Sequence, residues 1–234
     1  MRALTGEPQV VALGGGGFSD GDPALDDYIL SLPARRPARV CFLPTAAGDS
    51  DSYVVRFYDA FRPPRAHPSH VTLFGTTPRE DVRARILGAD VVYVGGGNTA
   101  SLLAVWRAHG LDRLLREAWQ AGVVLAGVSA GANCWFEACT TDSFGPVVPL
   151  RDGLALLRGS FCPHYDESER RAEYVRLVRD GFPAGYAAEA GVALRFAGME
   201  LREAVASSGE KQAFRVDAVD GEVRESRVPL STVG

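Results

Sequence analysis

Gly127-Val128-Ser129-Ala130-Gly131 places a serine between small residues, at the point where the apolar run Val123 to Ala126 gives way to a helical pattern. G-x-S-x-G after a strand is the requirement for a nucleophile elbow. Small neighbours permit a tight turn that lifts the Ser129 hydroxyl clear, and the next N–H, that of Ala130, faces a developing oxyanion. A serine hydroxyl needs a base to take its proton, and histidine titrates near neutrality. The chain has four histidines. His67 and His70 flank a proline-containing loop and the start of a strand, and His109 lies near the end of a helix, where positive charge is favourable. His164, in Cys162-Pro163-His164-Tyr165, is the one histidine after Ser129 and is the candidate base.

The acid that orients such a base is Asp142, in TTDSFG, or Glu189, in YAAEAGVAL. A carboxylate in so apolar a run is costly without a partner, which favours Glu189; Asp beside Ser and Gly commonly caps a turn. The order Ser129, His164, Glu189 differs from the Ser, acid, His order of α/β-hydrolases. Two glycine clusters follow strand patterns, LGGGGF at 13–18 and VGGGNT at 94–99. The first lacks G-x-G-x-x-G or G-K-[ST] spacing and reads as a tight turn. The second opens a helix with Asn98 and Thr99, so the N–H groups of Gly96 and Gly97 are expected on the same sheet edge as Ser129.

These residues need a frame that brings strand ends together. Nearly continuous apolar runs at 9–15, 39–45, 70–75, 90–96 and 123–129 predict parallel strands covered on both faces. Helical patterns at 24–32, 51–61, 78–87 and 99–120 alternate with them, giving an α/β fold with a doubly wound, mostly parallel sheet flanked by helices. After Ser129 come a short helix from Ala130, a strand ending at His164 and a charged helix at 167–178. The tail reads as strands, with Asp220-Gly221 as a two-residue hairpin turn, and forms a C-terminal β extension of one domain spanning 1–234.

With 234 residues, 46% hydrophobic, 23% charged and a net charge of -4, the chain has a substantial core and no basic stripe for nucleic acid or polybasic membrane patch. A small-molecule or peptide partner is expected. Neither a secretory leader nor a bilayer-length apolar run is visible, and Cys41, Cys134, Cys139 and Cys162 lack metal-ligand spacing, so reduced thiols in a cytoplasmic protein are expected.

Taken together, VGGGNT, GVSAGAN (127–133), TTD (140–142), PHY (163–165) and AAEAG (187–191) resemble the peptidase E family of cytoplasmic α-aspartyl dipeptidases, with cyanophycinase as a more distant relative. The resemblance covers roughly residues 90 to 195. It implies a fold related to class I glutamine amidotransferases, with Ser129 as nucleophile, His164 as base, Glu189 as orienting acid and Asp142 supporting the site. It also implies an oxyanion hole from the N–H groups of Gly97 and Ala130, with Gly96 and Asn98 at the substrate, and neither metal nor cofactor. An N-terminal aspartate would be recognised by a cation on the helix after His164, Arg170 or Arg171, although ESERRAEYVR is equally an ordinary solvated helix face. Glu189-Ala190-Gly191 stands where the family commonly has Glu-Gly. A cyanophycin-like polymer or another amide or ester substrate is the alternative for the same triad, and a non-catalytic binding module the alternative to an enzyme. An exposed elbow also allows a partner subunit to close the site.

Overall fold

The computed structural model describes residues 7–219 and 221–233. Two sheets carry the chain. The larger contains β1 (Gln9–Leu13), β2 (Ala38–Leu43), β3 (Ala66–His70), β4 (Val91–Val94) and β5 (Val124–Val128), all parallel, in the order β1-β5-β4-β2-β3. The smaller is built on β6 (Phe136–Thr141), β7 (Val148–Leu150), β8 (Leu157–Cys162) and β9 (Gly185–Ala188). The tail strands divide between the two. β10 (Val192–Ala197) pairs antiparallel with β1, β11 (Glu200–Ala206) pairs with β10, and the short β14 (Ser231–Thr232) follows β11. The hairpin β12 (Ala213–Val219) and β13 (Glu222–Arg227) extends the smaller sheet beyond β9. Its register, Val219 opposite Glu222, leaves a two-residue loop as expected; Asp220 itself lies outside the described residues.

Helices α1 (Ala24–Ser31) and α2 (Asp51–Ala60) cover one face of the larger sheet, burying Leu25, Ile29, Tyr53 and Phe57 against Val11, Leu13, Phe42 and Tyr93. Helices α3 (Arg79–Gly88), α4 (Thr99–His109) and α5 (Leu111–Gln120) cover the other face. Their core runs without a break into the smaller sheet through Trp135, Phe136, Leu157 and Phe161. The elbow helix α6 (Ala130–Asn133) lies at this junction, and α7 (Ser168–Arg179) packs on the smaller sheet through Tyr174, Leu177 and Val178.

Two elements differ from the sequence expectation. The third strand is Ala66–His70, not 70–75: it is the edge strand, where Pro68 removes no ladder bond that the sheet needs. The Asp49 carboxylate then accepts the N–H groups of Leu73 and Phe74, drawing the chain off the edge, and Val71 and Leu73 are buried as loop residues. The long helix expected at 99–120 is two helices, because Gly110 takes the left-handed conformation at φ 75° that ends α4 and starts α5. The four cysteines are free and buried, and burial pushes their thiols up, Cys41 and Cys162 to about 12. No helix among the described residues is long and apolar enough to cross a membrane.

Behind the first glycine cluster, Asp26 of α1 is 0% exposed, and its carboxyl faces the Tyr93 hydroxyl beneath Gly17. Desolvation pushes it up from an ordinary 3.8 to about 7, against the smaller pull of Arg65. A carboxyl that titrates higher folded than unfolded is neutral in both states at low pH. As pH rises from about 4 to 7 the unfolded chain loses the proton first, so this group's contribution to stability falls across that window, by on the order of a few kcal/mol. Urea unfolding of the Asp26→Asn protein should therefore show a gain over the wild type that is small at pH 5 and larger at pH 8. An unchanged difference between those pH values would mean that Asp26 is ionised in the fold.

Candidate active site

Ser129 follows β5 in the larger sheet and His164 follows β8 in the smaller one, and the two meet: His164 Nε2 lies 2.9 Å from Ser129 Oγ. Both residues hold backbone angles that side-chain-bearing residues avoid, φ 55° at Ser129 and 51° at His164, each costing roughly 1–3 kcal/mol. Backbone bonds fix both. The Ser129 N–H donates to Leu13 O at 3.0 Å and the His164 N–H to Gly14 O at 2.9 Å, so two consecutive carbonyls at the end of β1 anchor the pair. Ser129 O accepts from Ala132 and Asn133, and His164 O from Glu167.

The glycines of G-x-S-x-G are required by packing. A Cβ on Gly127 would collide with Gly131 O, and one on Gly131 with Val94 O. Asn133 braces the elbow by donating to Thr140 O at 3.0 Å and Thr99 Oγ1 at 3.3 Å. The first glycine cluster is more than a turn: a Cβ on Gly14 would strike the carbonyls of Ala188 and Glu189. One on Gly15 would sit 3.0 Å from His164 Cε1 and 2.9 Å from Ala190 Cβ.

Gly96 lies against the serine, 3.5 Å separating its Cβ direction from Ser129 Cβ, and its N–H donates to Tyr53 Oη at 3.2 Å. Gly97, at φ 139°, and Ala130 have N–H groups that meet no acceptor among the described residues. The Asn98 side chain caps α4 by accepting the Ser101 N–H and donates to Ser143 O, so both its polar atoms are engaged. Glu189 follows β9, beside the histidine's loop, where Tyr165 N–H donates to Ala188 O; its carboxylate accepts the Gln212 N–H at 3.0 Å and makes no hydrogen bond to His164.

Asp142 pairs with Arg170 at 3.0 Å and does not touch the serine–histidine pair. The buried Arg170 also pairs with Glu167, tying α7 to the end of β6. Arg171 pairs with Glu225 at 3.0 Å and stacks over Tyr165 and Phe214. Neither arginine lines the cavity of about 430 Å³ in front of Ser129 and His164. That cavity is bounded by residues the sequence reading passed over: Ser19, Asp20, Tyr53 and Arg56. The helical spacing of Tyr53 and Arg56 was visible in DSYVVRFY, but the placing of α2 beside Ser129 was not.

Residues 10–204 match the model of peptidase family S51. The chain belongs to peptidase family S51. It is thus a serine-type peptidase, in keeping with the Ser129–His164 contact. Over 97% of its length this S51 chain is 48% identical to the uncharacterized peptidase YgaJ of Bacillus subtilis strain 168, covering 99% of that protein. Peptidase E of Streptomyces coelicolor is 34% identical over 61% of the chain and 56% of its own length. A solved peptidase from an acI-B1 actinobacterium shares the fold, with a TM-score of 0.69 at 16% identity over 96% of this chain and 95% of that one.

The contact between Gly15 and the histidine ring gives a test of the S51 site. Gly15→Ala should lower kcat by about 10²-fold or more, because a shift near 1 Å of the His164 ring misaligns it against Ser129 Oγ, while circular dichroism still shows a folded protein. Wild-type kcat in the folded variant would show that the ring tolerates displacement.

Proposed function

We propose that this S51 peptidase removes an N-terminal residue, aspartate by preference, from dipeptides or short peptides through an acyl-enzyme on Ser129. The observation that carries the reading is the 2.9 Å contact of His164 Nε2 with the hydroxyl of an elbow serine. His164 takes the hydroxyl proton as Ser129 Oγ attacks the scissile carbonyl. The N–H groups of Gly97 and Ala130 receive the oxyanion. The tetrahedral intermediate collapses as His164 returns the proton to the leaving amine, and water, deprotonated by the same imidazole, then releases the acyl group.

Glu189 is the residue we assign to orient His164. Its support is its place in the chain: it follows β9 immediately after Ala188, whose carbonyl binds the residue following His164, and its half-buried carboxylate has one oxygen free of the Gln212 bond. The preference for aspartate is supported by the likeness to peptidase E.

Hydrolysis of Asp-, Asn- and neutral-first dipeptides, alongside a β-aspartyl-arginine polymer, tests the substrate. Asp-first dipeptides should have the highest kcat/KM; preference for the polymer would replace this substrate assignment. Ser129→Ala and His164→Ala should each lower kcat by about 10³–10⁶-fold, Glu189→Gln by about 10²–10⁴-fold, and Asp142→Asn by less than about tenfold. Full turnover by the Ser129→Ala protein would remove the mechanism, and an ordering with Asp142 above Glu189 would reassign the acid.

A further inference from the structure

The catalytic cavity holds a cation that the reaction itself does not employ. Arg56, on α2, is the one lysine or arginine among the described residues that lines it. Its guanidinium carbon lies 5.0 Å from the centre of the Tyr53 ring, and Nη1 donates to Ser19 O at 3.3 Å. Arg56 forms no ion pair with a carboxylate among the described residues, whereas Arg170 and Arg171 are both committed to ion pairs away from the cavity. The platform under Arg56 is fixed. Tyr53 is 5% exposed, and its hydroxyl accepts the Gly96 N–H at 3.2 Å and meets Ser19 Oγ at 2.6 Å. A guanidinium stacked on a fixed ring keeps its remaining N–H donors aimed outward and loses little entropy on pairing.

We propose that Arg56 is the specificity residue of this site, receiving a substrate carboxylate while the scissile carbonyl lies at Ser129. This rests on the peptidase reading for what occupies the cavity. A guanidinium with free donors is suited to a bidentate carboxylate. The same cavity presents Asp20, one of whose oxygens is held by the Gly16 N–H at 2.8 Å, so a ligand meets both signs of charge. A short peptide with a free N-terminus and a nearby carboxylate carries both. The carboxylate has two sources, the side chain of a first-position aspartate or the C-terminus of a dipeptide.

Calorimetric binding to the Ser129→Ala protein separates them without turnover, using Asp-Leu, Asn-Leu and Asp-Leu-amide. Adding Arg56→Ala should weaken Asp-Leu by about 10–100-fold, and Arg56→Lys should retain part of the affinity. If the side-chain carboxylate is read, Asn-Leu is the ligand insensitive to Arg56→Ala; if the C-terminus is read, Asp-Leu-amide is. Equal losses for all three ligands, or no loss for Asp-Leu, would overturn the proposal. Hydrolysis of Asp-Leu by protein with Ser129 intact is measured in parallel. Its absence, with Arg56-dependent binding preserved, would remove the catalytic reading and leave recognition by Arg56 standing.

Discussion

The carbonyls of Leu13 and Gly14, neighbours in the chain, hold the N–H groups of Ser129 and His164. Serine and histidine follow strands of different sheets, and these two bonds put them on one ruler. A third bond continues the series, since Gly15 O accepts the Gly191 N–H and draws the loop carrying Glu189 to the same strand end. Three successive peptide groups thereby locate the three segments to which we assign the chemistry. Consecutive residues are held at a fixed Cα–Cα distance, so anchors on Leu13 and Gly14 keep Ser129 and His164 from drifting apart. The left-handed angles at both residues persist because each is bonded on both its N–H and its carbonyl side.

The approach of backbone to backbone explains why small residues crowd this corner. Gly14, Gly127 and Gly131 each lie where a Cβ would meet a neighbouring carbonyl. Around that glycine-lined seam the packing turns aromatic: the Phe18 ring lies within 5.7 Å of Phe42, Tyr53, Phe57, Phe61 and Tyr93. Rings packed in this way, edge-to-face except for the tilted Tyr53, give the loop a stiff floor, and Tyr53 carries that stiffness to the cavity through its hydroxyl.

Much of this was legible in the chain. The serine and histidine could be found because a small-residue elbow after an apolar strand is a local pattern, and because histidines were few enough to eliminate. The parallel strands showed as continuous apolar runs, with the exception of β3, whose AHPSH has neither apolar continuity nor freedom from proline and forms because β2 offers a free edge. Gly110 carried its signal, yet a glycine within a helical pattern reads as a weak spot as readily as a break. Arg56 was out of reach for a different reason. In the sequence it is one arginine of an amphipathic helix, and its meaning comes from the crossover that brings α2 against Ser19 and Gly96, in the loops after β1 and β4. Arg170 and Arg171 carried the stronger local suggestion, and in the fold both are engaged in ion pairs outside the cavity.

β1 lies between β5 and β10, with Val10 opposite Leu125 on one side and Phe196 on the other. Both partners of the anchoring strand stand far from it in the sequence. Such distant pairings close late, after most of the loop entropy has been overcome. The contact of Ser129 with His164 thus rests on pairings between segments far apart in the sequence and on no single local segment. For a molecule that cuts peptide bonds this works as a safeguard: the scissors have no edge until strands distant in the sequence have come together.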